Sequence, residues 1–167
     1  MPGPPASPPR GLSTAVNPPE AAASWPGRLI EWASPQWSVF CRGDDGQVLS
    51  HAGALLRDGT AGGKSARIGG IGGVKTHPEA RRRGLASTVV RRAVELLREQ
   101  EAGFALLVCE PALVVFYQRL GWTPHAGGLV VRQRGETVEF TFNLPMVLPL
   151  RDADLPQGVI DLTGPPW

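Results

Sequence analysis

The chain reads as an α+β domain built on a mixed, mostly antiparallel sheet with a βαβ unit at its centre. Three observations predict this. An amphipathic segment over Leu85–Glu101 lies between a glycine-rich strand and a continuous apolar run, Phe104–Cys109. Short apolar or alternating segments with Asp-Gly or Gly turns flank that centre on both sides, and such segments pair as antiparallel hairpins. The resulting order, β-β-β-α-β-α-β-β without internal repeat, belongs to an α+β domain.

The 167 residues suffice for one domain with a hydrophobic core. A net charge of +2 gives no general argument for nucleic acid. Cys41 and Cys109 lie far apart, outside any Cys/His cluster, so no metal site is signalled. Two reduced thiols suit a cytoplasmic protein. No apolar run approaches the ~20 residues that span a bilayer, and the N-terminus lacks a secretory pattern.

Residues 1–27 hold eight of the 17 prolines and little apolar mass, which predicts a disordered extension before a single domain at 28–167. Trp37–Arg42 and Gln47–Arg57 flank Asp44-Asp45-Gly46 and form the first hairpin. Gly59–Ser65 reads as a loop. Ala66–Thr76 is the glycine-rich strand, a pattern that marks a bulge or a close approach. In the helix, Val89, Val90, Ala93, Val94, Leu96 and Leu97 share one side, and Gly103 is expected to close it. Phe104–Cys109 fits a strand buried on both faces. Pro111 can open a short helix ending before Gly121. Leu129–Gln133 and Thr137–Phe142 form a hairpin around Gly135, and Leu144–Trp167 reads as an extended, packed tail.

The informative junction is Thr76–Ala86, where a strand ends and the long helix begins. The first amides of a helix lack internal acceptors and lie at the positive end of its dipole. A diphosphate fits there. Gly84 allows close approach, Ala86 keeps the next position small, and Arg81, Arg82 and Arg83 add positive charge. The same arginines also fit a solvated face. Nucleic-acid binding is the weaker reading, because no interleaved aromatics or basic helix accompany them.

Arg81-x-x-Gly84-x-Ala86 resembles the acyl-CoA signature of the GNAT superfamily of acetyltransferases. Val74-x-Thr76-x-Pro78 is similar to the strand before that signature, and Phe116-Tyr117-Gln118-Arg119-Leu120-Gly121-Trp122 to the second one. The resemblance implies the three-layer acyl-CoA N-acyltransferase fold over Trp37–Phe142. It also implies acetyl-CoA as cofactor and an amine of a small molecule as acceptor, with no nucleic-acid or membrane partner. Val74, Lys75 and Thr76 would meet the pantetheine arm, and Arg81, Arg82, Arg83, Gly84, Leu85, Ala86 and Ser87 the diphosphate. A homodimer fits the family. In that family a strand and two helices precede the first hairpin. Here only Arg28–Pro35 and the proline-rich stretch precede Trp37, so these elements are expected to be shortened. A non-catalytic acyl-CoA-binding module therefore stays open beside the enzyme.

By the same resemblance the amine attacks the thioester directly, with a backbone amide near Val74 at the oxyanion. Tyr117, the chain's only tyrosine, stands at the family's acid position, although its ring also fits simple packing. The family's usual glutamate is replaced here by Gly72 or Gly73. Glu110 is the remaining candidate base, and a carboxylate favoured by the start of a helix is its other reading. His51 and His77 read as structural, and Cys109 as a buried thiol. The tail Asp161–Trp167 is similar to that of aminoglycoside 2′-N-acetyltransferases, which implies Asp161 and the Trp167 carboxylate as contacts for an amino sugar or polyamine. Their other reading is a turn cap and an anchor.

Overall fold

The backbone of the fold is one long hairpin of β2 (Val48–Ala61) and β3 (Lys64–Thr76), to which every other strand is added directly or indirectly. The computed structural model describes residues 26–151 and 154–167, so most of the proline-rich stretch expected at 1–27 lies outside the described residues. β1 (Trp37–Arg42) pairs antiparallel with the first half of β2. β3 leads through a single 3-10 turn, Pro78–Ala80, into α1 (Leu85–Glu99), and α1 returns to β4 (Phe104–Cys109), parallel to β3. Another 3-10 turn, Pro111–Leu113, opens α2 (Val114–Arg119). There follow β5 (Thr123–Pro124), β6 (Leu129–Gln133), β7 (Glu136–Glu139), β8 (Leu144–Pro149) and β9 (Ile160–Asp161). The sheet order is β5-β8-β4-β3-β2-β9-β6-β7, with β1 also on β2. The expected central βαβ unit and mixed sheet are both present.

Four local expectations are corrected. Gly59–Ser65 is not a loop: β2 and β3 stay in register to Ala61 opposite Lys64, and only Gly62 and Gly63 turn, at φ +57° and +77°. Such a two-residue turn needs positive φ at both places. Gly59 is a strand residue, and its glycine is explained by the Asp161 carbonyl of β9, with which a Cβ would collide. α1 stops at Glu99, and Glu101 (φ 62°), rather than Gly103, takes the left-handed position beyond it, with the Ala102 amide bonded to the Leu97 carbonyl at 3.1 Å. β7 stops at Glu139 instead of Phe142, although Phe140 and Phe142 both meet the Trp32 ring edge-on. Leu144–Trp167 is not merely a tail: β8 lies between β4 and β5, and β9 pairs with β2 and β6.

Side chains alternate between two cores. α1 and α2 pack on one face with Ile71, Ala105, Leu107 and Met146. Ile68, Leu106 and Val147 point to the other face, where β6, β9 and the tail cover them. Leu97 is fully buried and closes directly over Gly69, where a Cβ would stand 2.7 Å from its Cδ1. Leu97→Ala is expected to cost about 2–5 kcal/mol, read as a lower urea midpoint. A midpoint within error of the parent would place the centre of this core elsewhere.

Candidate functional site

β3 and β4 share a ladder only from Ile68–Gly70 to Phe104–Leu106. Beyond that point β4 continues to pair with β8 and β3 with β2, so the two strands part like a V. On its other side β3 carries a bulge. Three steps, Lys75 to Gly72, oppose two on β2, His51 to Gly53. Gly73 takes φ +59° there, a conformation that costs glycine little. A cavity of about 910 Å³ fills the opening, with Val74, Lys75, Glu110, Tyr117 and Trp167 on its wall.

The corner after β3 is open. Arg81 lines the cavity, Arg82 turns at φ 63°, and Gly84 sits at φ 74° as the residue before α1. No side chain caps α1, so the amides of Leu85, Ala86 and Ser87 are left without an intrahelical acceptor. A Cβ at Gly84 would meet nothing within 4 Å. Arg81, Arg82 and Arg83 are exposed around this space. An uncapped helix start, an open approach and three guanidiniums together fit a diphosphate. Thr76 is not on the cavity wall. Its hydroxyl meets Ser50 Oγ at 2.9 Å and so ties β3 to β2.

Tyr117 is buried on α2, its ring edge-on to Phe116 at 4.9 Å and to Trp122 at 6.3 Å. Burial, and secondarily Cys109, push its hydroxyl up to about 12. Glu110 is exposed at the start of the 3-10 turn Pro111–Leu113 but makes no capping bond. Cys109 Sγ donates to Met146 Sδ at 3.6 Å, and burial, then the neighbouring Glu110, raise its pKa. It is thus unsuited to nucleophilic attack.

Sequence reasoning passed over Ser38 and read His51 as structural, yet both lie on the cavity wall. His51 Nδ1 lies 2.8 Å from the Gly73 carbonyl and Nε2 lies 3.1 Å from Ser38 Oγ. Phe40 packs on the imidazole with centroids 5.0 Å apart. Burial lowers the His51 pKa; the Gly73 bond opposes this, and the Lys75 charge adds to the lowering. The signal lay in strand parity. Ser38 and Phe40 on β1 share a face with His51 and Gly53 on β2.

Residues 19–125 match the sequence model of the acetyltransferase (GNAT) domain. The chain belongs to the GNAT family. Comparison with curated protein sequences gives no match. Among solved structures, a GNAT family N-acetyltransferase (YhbS) from Escherichia coli in complex with CoA is similar at 21% identity, TM-score 0.63, over 92% of this chain and 81% of that one. A GNAT family acetyltransferase from Brucella melitensis in complex with acetyl-CoA is 21% identical, TM-score 0.52, over 76% and 66%. Naa20 of Chaetomium thermophilum, in complex with a bisubstrate analogue, is 17% identical, TM-score 0.52, over 84% and 79%. At these identities the likeness is one of fold.

In this GNAT domain the tail lies across the face of the sheet opposite α1. Trp167 Nε1 donates to the Leu106 carbonyl at 2.9 Å, and a Cβ at Gly70 would collide with the indole. Arg57 holds the tail: Nη1 donates to the Pro165 carbonyl at 2.6 Å, and the guanidinium lies 5.0 Å from the Trp167 ring. The Ala33 amide bonds the Pro166 carbonyl at 2.6 Å, which joins the segment before β1 to this tail. Trp167 thus reaches the cavity, and Asp161 does not. The parallel pairing of β9 with β6 brings Arg132 to Asp161, which accepts its two bonds at 3.0 and 3.2 Å and the Thr163 amide at 2.8 Å. Burial alone would raise the Asp161 pKa, but these bonds outweigh it and hold the carboxyl below its usual range. Asp161 is therefore engaged with Arg132 and the tail itself, away from the cavity wall. Among the described residues no group of three His, Cys, Asp or Glu is placed to hold a metal.

Arg57→Ala removes a charged hydrogen bond and a cation–π contact. It should cost about 2 kcal/mol and speed amide hydrogen exchange across 162–167. Unchanged exchange there would show that the tail is held by other contacts.

Proposed function

We propose that the protein transfers the acetyl group of acetyl-CoA to an amine of a small cationic molecule, within one domain spanning 28–167. The observation that carries this is the edge of β3 that parts from β4 in the V and leads directly to the uncapped start of α1. An extended arm can add to such an edge as a strand does. Val74, Lys75 and Thr76 supply that edge, and residues 81–87 supply amides and charge for the diphosphate. Acetyl-CoA brings the acetyl thioester; the protein positions it and manages protons. The Val74 amide, next to the bulge, stands ready for the carbonyl oxygen.

Tyr117 faces the cavity in its protonated form at neutral pH, as a hydroxyl near 12 requires. That value lies well above the ~8.5 of an ordinary thiol. Its hydrogen bond to the leaving sulfur therefore contributes more than complete proton transfer does. Glu110, exposed on the cavity wall without a capping bond, draws in a cationic acceptor, whose first proton is lost to solvent water. A polyamine or amino sugar matches that charge, with Trp167 as an apolar wall on the acceptor side.

Acetyl-CoA consumption measured against polyamines and amino sugars tests the reading. Turnover is expected, and Tyr117→Phe should reduce kcat about 10²-fold or more with coenzyme A affinity preserved. Because the tyrosine stays protonated up to about pH 12, wild-type activity should not fall between pH 8 and 10. Coenzyme A binding with no turnover on any amine would instead mark a binding module. An alkaline decline that disappears in Tyr117→Phe would keep the tyrosine as the acid but contradict the raised pKa drawn from its burial.

A further inference from the structure

We infer that Ser38 and His51 form the proton-accepting pair of the acyl transfer, with the bulge carbonyl of Gly73 as the group that orients the imidazole. The inference rests on the acetyltransferase reading above. A carbonyl oxygen only accepts, so the 2.8 Å contact places the imidazole proton on Nδ1. Nε2 is then an acceptor, and the Ser38 hydroxyl must donate to it across 3.1 Å. The arrangement is a hydroxyl, a base and an orienting group in line, at the distances acid–base chemistry uses. Both side chains lie on the wall of the cavity that holds Gly73 and Val74. The pair therefore borders the place where the thioester carbonyl is expected.

The hydroxyl keeps its lone pairs for a substrate N–H. As the amine nitrogen bonds to the carbonyl carbon, its proton moves to Ser38 Oγ, and the Ser38 proton moves to His51 Nε2. The carbonyl π pair moves onto oxygen and returns as the carbon–sulfur bond breaks. The departing sulfur leaves as a thiolate that accepts a hydrogen bond from Tyr117, which keeps its proton. The imidazolium, still bonded to Gly73, gives its extra proton to water. A buried imidazole is too weak a base to strip an ammonium whose pKa is about 10.4. It suffices for a nitrogen made acidic by its new bond to carbon. The first proton of the acceptor thus leaves to solvent, and only the second passes to Ser38 and His51.

The neutral, accepting form of His51 is favoured by burial and by Lys75 on β3. Phe40 and Ser38 on β1 add no charge; the remaining titratable side chains on the cavity wall are Arg81, Cys109, Glu110 and Tyr117, and the Trp167 carboxylate lies close to Gly72. A folded pKa below 6.5 means that His51 accepts protons above that value and loses the capacity as pH falls through it.

The test is the pH profile of kcat for acetyl transfer to spermidine and glucosamine, with coenzyme A affinity measured in parallel. His51→Asn keeps a donor facing Gly73 but removes the titrating nitrogen. It should lower kcat about 10²-fold or more and abolish the acid limb that wild type shows below pH 6.5, with coenzyme A affinity unchanged. Ser38→Ala leaves the His51–Gly73 bond intact, so it carries the test even if His51→Asn does not fold, and should also lower kcat. Wild-type kcat and an unshifted acid limb in Ser38→Ala would overturn the inference. So would a kcat and acid limb in folded His51→Asn that match wild type. Coenzyme A binding by wild type without turnover on either amine, or loss of coenzyme A binding, would bring down the acetyltransferase reading and the inference with it, a separate outcome.

Discussion

The site depends on a ladder that is broken on purpose. β3 pairs with β4 for three residues and then leaves it, and near the same place Gly73 inserts a bulge against β2. Buried backbone groups without partners cost free energy, so a strand cannot part from its neighbour inside a core without something between them. Here the gap becomes a cavity, and the freed edge becomes a surface for another chain-like molecule. The bulge is itself held, because His51 bonds the Gly73 carbonyl and Ser50 ties Lys75 and Thr76 to β2. Orientation of the strand edge and orientation of the imidazole are thereby one constraint.

The two faces of the sheet divide the labour. α1 and α2 bury one face, bring the uncapped helix start to the end of β3, and set Tyr117 on the cavity wall. The other face is buried by β6, β9 and the tail, which Arg57 and the Ala33 amide hold in place up to Trp167. Glycines at 70 and 72 are needed because that tail presses on the strand where side chains would otherwise stand. The cofactor side and the acceptor side are thus shaped by opposite faces of one strand.

Much of this was legible from local pattern. The first hairpin, the 3.6-residue periodicity of α1, the apolar run of β4 and the strand–helix corner with Gly84 each carry their signal within a few residues. Other features needed contacts between distant segments. β8 contains Pro145 and Pro149, which argue against a strand, yet both fall near its ends, where little of the ladder is lost. β9 is two residues long and has no pattern of its own. Gly59 looked like loop material because the Asp161 carbonyl that requires it lies more than a hundred residues on. Asp161 looked free until Arg132, 29 residues away, arrived through the β6–β9 pairing. His51 gave no sign of function by itself, since its meaning comes from Ser38 and Gly73 on its two neighbouring strands.

Backbone protons in the V and at the corner are the groups held to do the binding, so their exchange with solvent reports on them directly. Amide hydrogen exchange should slow on addition of coenzyme A at Val74–Thr76 and at Leu85–Ser87, with little change in β6, β7 and β9. Protection confined to other segments, or none at saturating coenzyme A, would contradict the account of this strand edge as the place where the cofactor lies.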